Sequence, residues 1–166
     1  MIVPTLRTER LILRAPTMAD WPVYRAFITG ARAVGAGGIL DEKQAFRSFA
    51  AILGHWHLKG FGWWMIEHDG QPVGYSGVHN PPSKADMELG WALFDGHEGH
   101  GFALEAARAG LSYAKTVLTP RRLVSYIIDG NTPSEKLARK LGAAPASAAD
   151  HRSDVTVWVH PMESAP

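Results

Sequence analysis

A mixed α/β sandwich, with helices covering a largely antiparallel sheet, is the fold class this sequence predicts. Strand and helix signals follow one another in the order βααβββαβαβ. An Asp69-Gly70 turn sits between two strand-like runs, and helix caps stand at Thr17, Asp41 and Thr132. At 166 residues the chain has the length of one domain, 1–166, since domains run to about 100–200 residues. Its 46% hydrophobic and 20% charged content is that of a globular protein and excludes a disordered or collagenous chain.

Leu6 to Arg14 reads as the first strand, Leu11 and Leu13 alternating with Arg10, Ile12 and Arg14. Thr17 to Asp20 has capping-box spacing, with Asp in place of Glu. Trp21, Tyr24, Phe27 and Ile28 then recur at helical spacing, and Gly30 closes that helix. Gly35 to Gly38 reads as a loop. Asp41 and Gln44 cap a second helix whose apolar face is Ala45, Phe46, Phe49, Ile52, Leu53 and Trp56, and Gly60 stops it. Strands follow over Trp63 to His68 and Pro72 to His79. The Asn80-Pro81-Pro82 break precedes a third run, Asp86 to Phe94. A helix from about Ala103 to Val117 has the stripe Leu104, Ala107, Leu111, Ala114 and Leu118. Leu123 to Ile128 is rich in β-branched residues and reads as a strand. Thr132 to Glu135 reads as a capping box with proline at the first helical position; Arg139 and Lys140 suit the last turn, and Gly142 ends the helix. Val155 to Val159 is the final strand.

The charge balance, 17 Lys+Arg against 16 Asp+Glu for a net +1, argues against a nucleic-acid partner, which needs a clustered basic surplus. A local site for a small anion is compatible with it. With no cysteine, a disulfide framework, a Cys-ligated zinc and a thiol nucleophile are all excluded. No apolar run approaches the roughly 18 residues of a membrane span. The first residues carry Arg7, Glu9, Arg10 and Arg14, which does not suit a signal peptide. The expectation is a cytoplasmic protein without a membrane partner, monomeric or homodimeric.

The segment that carries chemistry runs from Glu88 to Ala103: a strand, a glycine-rich turn and a helix start. The first N–H groups of a helix lack partners and carry partial positive charge, so this arrangement can cradle an anion. Gly99 and Gly101 let the backbone approach it closely. A P-loop is excluded because no Lys-Ser/Thr follows Gly101, and a Rossmann fingerprint because the glycines come too late in the chain. The same residues also suit a loop that only turns a strand into a helix. Glu88 shares one strand face with the small residues Gly90 and Ala92, which leaves room there for a substrate or a relay water.

Three blocks give the chain a resemblance to the GNAT superfamily of N-acetyltransferases, in its RimJ/RimL-like branch. They are Leu6 to Arg14 with Asp20, Glu88 to Ala103 continuing into Glu105, and Asn131 to Gly142. The pyrophosphate-loop pattern of coenzyme A acyltransferases, Gln/Arg-x-x-Gly-x-Gly/Ala, is matched by Glu98, Gly101 and Ala103.

The resemblance implies the GNAT acyl-CoA N-acyltransferase fold, a mostly antiparallel sheet with one splayed parallel pair and helices on both faces. It implies acetyl-CoA as co-substrate. Backbone around Trp91 to Leu93 would meet the pantetheine arm, and the amides of Gly99, His100, Gly101, Phe102 and Ala103 would cap the pyrophosphate, with Glu98 at the start of the cofactor-binding loop. Asn131 stands where the family has an arm-contacting Asn. The reaction implied is direct attack of a primary amine on the thioester in a ternary complex. Glu88 is then the candidate base, and Ser134 the candidate partner of the leaving thiolate. A backbone N–H would receive the oxyanion. Glu88 also suits a plain surface glutamate, and Ser134 a serine of a helix's first turn. The acceptor amine is open: a protein N-terminus, an amino acid, a polyamine or an aminoglycoside-like molecule. The alternative is a module of the same fold that binds acyl-CoA without catalysis.

Three departures from the family pattern stand out. Glu98 replaces the usual Gln or Arg, and a carboxylate repels a pyrophosphate unless it is turned away or offset, for which His97 and His100 are the neighbours at hand. Ala138 stands where many members have a tyrosine, and Ala143 where an aromatic is common. Eight histidines do not make a metal site at any recognisable ligand spacing, so no metal is expected. Of the Trp63-Trp64 pair, alternation sends one ring to each face of the sheet, and one of them is a candidate for the acceptor cleft.

Overall fold

A computed structural model describes residues 3–149 and 152–162. Its sheet is eight-stranded. In chain order the elements are β1 (Leu6–Arg7), β2 (Ile12–Arg14), α1 (Trp21–Ile28), α2 (Glu42–Lys59), β3 (Trp63–His68), β4 (Gln71–His79), β5 (Met87–Leu93), α3 (Phe102–Tyr113), β6 (Leu123–Ile128), α4 (Thr132–Lys140), β7 (Ala144–Ala149) and β8 (Arg152–Val159). The strand order is β1-β2-β3-β4-β5-β6-β8-β7. Every neighbouring pair is antiparallel except β5 with β6, which is parallel.

Strand alternation divides the core between the two faces of the sheet. Trp64, Ile66 and Leu89 pack with Phe102, Ala106, Ala107 and Leu111 of α3. On the other face Met65 and Tyr75 pack with Tyr24, Phe27 and Phe49 of α1 and α2. Trp63 joins that second cluster while Trp64 is fully buried in the first, so the tryptophan pair is split between the faces as alternation demands. Gly110 lets α3 lie close to the sheet: a Cβ there would come within 3.1 Å of Leu89 Cδ1.

Several elements differ from the sequence expectation, each for a local reason. Leu6 to Arg14 is a folded-back pair, not one strand, with Leu6 opposite Leu13. The Thr8 amide donates to the Leu11 carbonyl at 3.0 Å, and the Leu11 amide to Thr8 Oγ1 at 3.0 Å, closing the turn. The expected loop before α2 begins as a 3₁₀ turn, Ala31–Ala36, before Gly37 takes φ +112°. Phe46 is 48% exposed, outside the buried face of α2, and packs edge-on to Trp21 with centroids 5.3 Å apart. Helix α3 starts at Phe102 and ends in a wider π turn, Ala114–Leu118; Leu104 and Leu118 of the expected stripe are only half-buried.

The cap of α4 is Asn131, one residue earlier than expected: its Oδ1 accepts from the Ser134 amide at 3.3 Å, which puts Pro133 second in the helix. Strand β7 was not expected, because its Ala-Pro-Ala-Ser-Ala-Ala sequence has little β propensity and pairs only by lying along β8.

Candidate active site

The parallel strands β5 and β6 are paired only at Met87–Leu123 and Glu88–Val124, after which they separate. The point of separation is held by side chains. Ser125 Oγ donates to the Leu89 carbonyl at 2.5 Å, so the ring nitrogen of His160 at 2.8 Å must be the donor to that oxygen. This fixes the imidazole proton on Nε2 and leaves the buried Nδ1 without a partner. Burial, and secondarily Lys115, lowers the His160 pKa to about 4. Peptide groups alternate in direction along a strand. With the Leu89 carbonyl turned to β6, those of Trp91 and Leu93 turn the same way, along an edge of β5 that has no strand partner.

A cavity of about 280 Å³ occupies the separation. Glu88, Trp91, Asn131 and Ser134 all line it, so four of the residues singled out in the sequence meet at one place. Leu93 and the Glu98 to Ala103 loop are outside this lining. Trp91 reaches across from β5 to α4, its Nε1–H donating to Ser134 Oγ at 3.4 Å. The serine hydroxyl keeps its own hydrogen free to donate. Asn131 also donates from Nδ2 to the Gly35 carbonyl at 3.4 Å, tying the α4 cap to the turn before α2.

On the opposite face of the sheet, Glu88 stands directly across from His79 in the β4–β5 register. Its carboxylate is held by Lys84 at 2.5 Å, and the Lys84 ammonium lies 4.1 Å from the Tyr126 ring centre. The room expected above Gly90 is shared with Trp63, whose indole lies so close that a Cβ on Gly90 would approach Cζ2 to 2.9 Å. Gly90 therefore makes a flat seat for a ring. His79 also lines the cavity and was missed in the sequence, where the signal was its register opposite Glu88 across the hairpin. Burial, then the neighbouring His55 and Lys84, lowers its pKa to about 4, so it is a neutral imidazole at neutral pH. His55 is fixed by backbone on both sides: Nδ1 bonds the Phe61 carbonyl at 2.6 Å and Nε2 accepts from the Asn80 amide at 3.0 Å.

The glycine loop leads from β5 to the start of α3. Gly99 and Gly101 have φ of +81° and +80°, conformations that disfavour any residue with a Cβ. Gly101 is the N-cap of α3 and has no side chain to satisfy the first helical N–H groups. Arg10 braces the loop, donating to the His100 carbonyl at 2.9 Å and lying 5.0 Å from the Phe102 ring centre, with its own charge paired to Glu105 at 2.7 Å. His100 stacks on Phe102 at 5.4 Å. The Glu98 carboxylate is paired with Arg32, which also holds Asp95 at 2.8 Å. The group that offsets Glu98 is thus an arginine from the turn after α1, not the adjacent histidines. Uncapped N–H groups beside left-handed glycines form a donor set that fits a pyrophosphate, and the Arg32 pairing lessens the repulsion from Glu98.

Among the described residues no group of three or more His, Asp or Glu could hold a metal ion. No described helix is long and apolar enough to cross a membrane.

Comparison with known proteins places this geometry in context. The family profile described as an acetyltransferase (GNAT) domain matches residues 10–144. The crystal structure of an acetyltransferase from Agrobacterium tumefaciens strain C58 is 37% identical, covers 97% of this chain and 96% of its own, and superposes with a TM-score of 0.92. An uncharacterised N-acetyltransferase of Bacillus subtilis strain 168, YoaA, is 28% identical over 147 residues, 84% of this chain and 82% of its own. RimL, a ribosomal L7/L12 α-N-protein acetyltransferase solved with coenzyme A, is 14% identical with a TM-score of 0.70 over 95% of this chain and 97% of its own, a likeness of fold.

Proposed function

The chain belongs to the GNAT acetyltransferase family, and on that premise we propose that it transfers the acetyl group of acetyl-CoA directly to a primary amine held in the cleft between β5 and β6. The observation that carries this reading is the meeting of Glu88, Trp91, Asn131 and Ser134 around one cavity at the point where the parallel strands separate. Acetyl-CoA, when bound, supplies an activated acyl group and a good leaving group.

The residues of the chain do the rest. The peptide groups of Trp91 and Leu93 offer the unpaired strand edge that an extended pantetheine arm needs, and Asn131 stands at the same cleft. The N–H groups from Gly99 to Ala103 receive the pyrophosphate, with Glu98 turned to Arg32. Glu88, on the face opposite the coenzyme side, takes the proton from the incoming ammonium, because an amine attacks only through its free lone pair. Neutral His79, across the strand, can hydrogen-bond the amine, while its lowered pKa of about 4 leaves the proton transfer to Glu88. Ser134, whose oxygen already accepts from Trp91, offers its O–H as a hydrogen bond to the departing thiolate. Distinct groups thus serve the two ends of the reaction.

Amine-dependent release of free thiol from acetyl-CoA tests this reading. The chain has no cysteine, so a thiol reagent reports coenzyme A alone. Thiol release that depends on both acetyl-CoA and an added primary amine is expected; release independent of amine, or none with any amine, would contradict it.

A further inference from the structure

Beside the cleft lies a second cavity, of about 250 Å³, between the sheet and the α1–α2 layer. Trp63, Tyr75 and His79 line both cavities, so the second opens from the acceptor side of the first. Its other walls are Tyr24, Ile28, Leu40 and Ile52, with Ser48 and the Ala36 to Gly38 backbone. None of the residues lining it has a charged side chain. Tyr24 and Ser48 satisfy each other at 2.8 Å. Tyr75 is kept un-ionised by burial, and His79 is neutral at pH 7.

The charged residues that line the adjoining cleft are Lys84, Glu88 and Arg152. Lys84 is spent on Glu88 at 2.5 Å, and Arg152 on Asp154 at 2.5 Å. A second ammonium placed against these apolar walls loses part of its water and meets no carboxylate among the lining residues, which is unfavourable. Tyr24, Trp63 and Tyr75 pack on one another as a tilted aromatic wall, with centroids 4.8 to 5.7 Å apart, and a ligand ring would add to that cluster in the tilted contacts rings prefer. The volume lies near the small end of ligand sites and suits one ring system on a short chain.

We infer that the acceptor is a small arylalkylamine, its amine at Glu88 and His79 and its ring in the pocket of Tyr24, Leu40, Trp63 and Tyr75. This rests on the acetyltransferase reading above and selects within it. Polyamines and aminoglycosides, which bring further ammonium groups, are disfavoured by the same walls. A peptide N-terminus is disfavoured by a cavity that accommodates one ring.

Thiol release from acetyl-CoA is to be measured for the intact protein with 2-phenylethylamine, tryptamine, spermidine, kanamycin and a hexapeptide, alongside calorimetric titration with acetyl-CoA alone. The expected result is kcat/KM for the aryl amines on the order of a hundredfold above spermidine, kanamycin and the peptide. Leu40→Glu, which places a carboxylate on a half-buried wall, is expected to lower the aryl-to-spermidine ratio by roughly tenfold or more. Preference for spermidine, kanamycin or the peptide, or no turnover of either aryl amine, overturns the inference. If acetyl-CoA binds and another amine is acetylated, only this inference fails. If acetyl-CoA does not bind, the acetyltransferase reading fails with it.

Discussion

Glu88 and Asp20 show how differently two carboxylates are used in one small protein. Glu88 lines the cleft, held by Lys84 and facing His79 across the strand. Glu88→Gln keeps the size and removes the proton acceptor, so kcat is expected to fall on the order of a hundredfold while acetyl-CoA affinity in calorimetry stays unchanged. Asp20 is 1% exposed and receives both Arg14 Nη atoms, at 2.8 and 2.9 Å, with the Thr17 amide at 2.7 Å. Burial pushes its carboxyl up, but the bonds from Arg14 and Thr17 together outweigh it and hold the pKa below the ordinary value. A depressed carboxyl stabilises the fold above its unfolded pKa and loses that contribution as pH falls through the folded one. Asp20→Asn leaves Arg14 facing an uncharged partner, and denaturant unfolding at pH 7 is expected to show a loss of about 3 kcal/mol. The Thr17–Asp20 spacing was legible in the sequence as a capping box, but the arginine that makes Asp20 matter was not. Arg14 ends β2, and its bidentate contact depends on how the chain turns from β2 into the start of α1, which the spacing alone does not show.

At the scale of elements, the splay of β5 and β6 is the feature on which the site depends. Ser125 and His160 set where it begins. Ser125→Ala removes the bond to the Leu89 carbonyl and leaves the His160 Nε2–H unpaired in the core. The expected outcome is a loss of about 1–3 kcal/mol in denaturant unfolding, and a raised KM for acetyl-CoA because the free edge of β5 shifts. A wholly structural role would lower stability and leave KM unmoved. The sequence made the strand–loop–helix run of Glu88 to Ala103 legible, since glycines at left-handed positions and an uncapped helix start are local signals. It did not make the wedge legible. A lone serine within a β-branched strand and a histidine beyond the last strand acquire meaning only from a parallel pairing that no local pattern encodes. Strand β7 was hidden for a similar reason: its small residues are held in place by β8, not by their own propensity.

For the molecule as a whole, the core is divided between the two faces of the sheet, and the proposed function puts the coenzyme on the α3–α4 side and the acceptor on the α1–α2 side. The order of elements and the fold class were readable because hairpin turns, caps and apolar stripes repeat along most of the chain. The cavity that joins the faces was not, being made by residues far apart in sequence. His160 is buried and His79 half-buried, and each has its pKa lowered from 6.5 to about 4. Between those values the unfolded chain binds protons that the folded one refuses, so stability is constant above about pH 6.5 and falls as pH drops toward 4. For His160, 2% exposed, the loss amounts to about 3 kcal/mol, and unfolding midpoints measured from pH 8 to 4 should follow it, with a shallower slope in His160→Gln. The most direct test of the central claim is calorimetric titration of the intact protein with acetyl-CoA, with coenzyme A and NADH for comparison. The account predicts saturable binding of both coenzyme A compounds near micromolar concentration, at one site per chain, and no binding of NADH. Absence of heat with acetyl-CoA at millimolar concentration would mean that the cleft between β5 and β6 is not a coenzyme A site, and would contradict the account at its root.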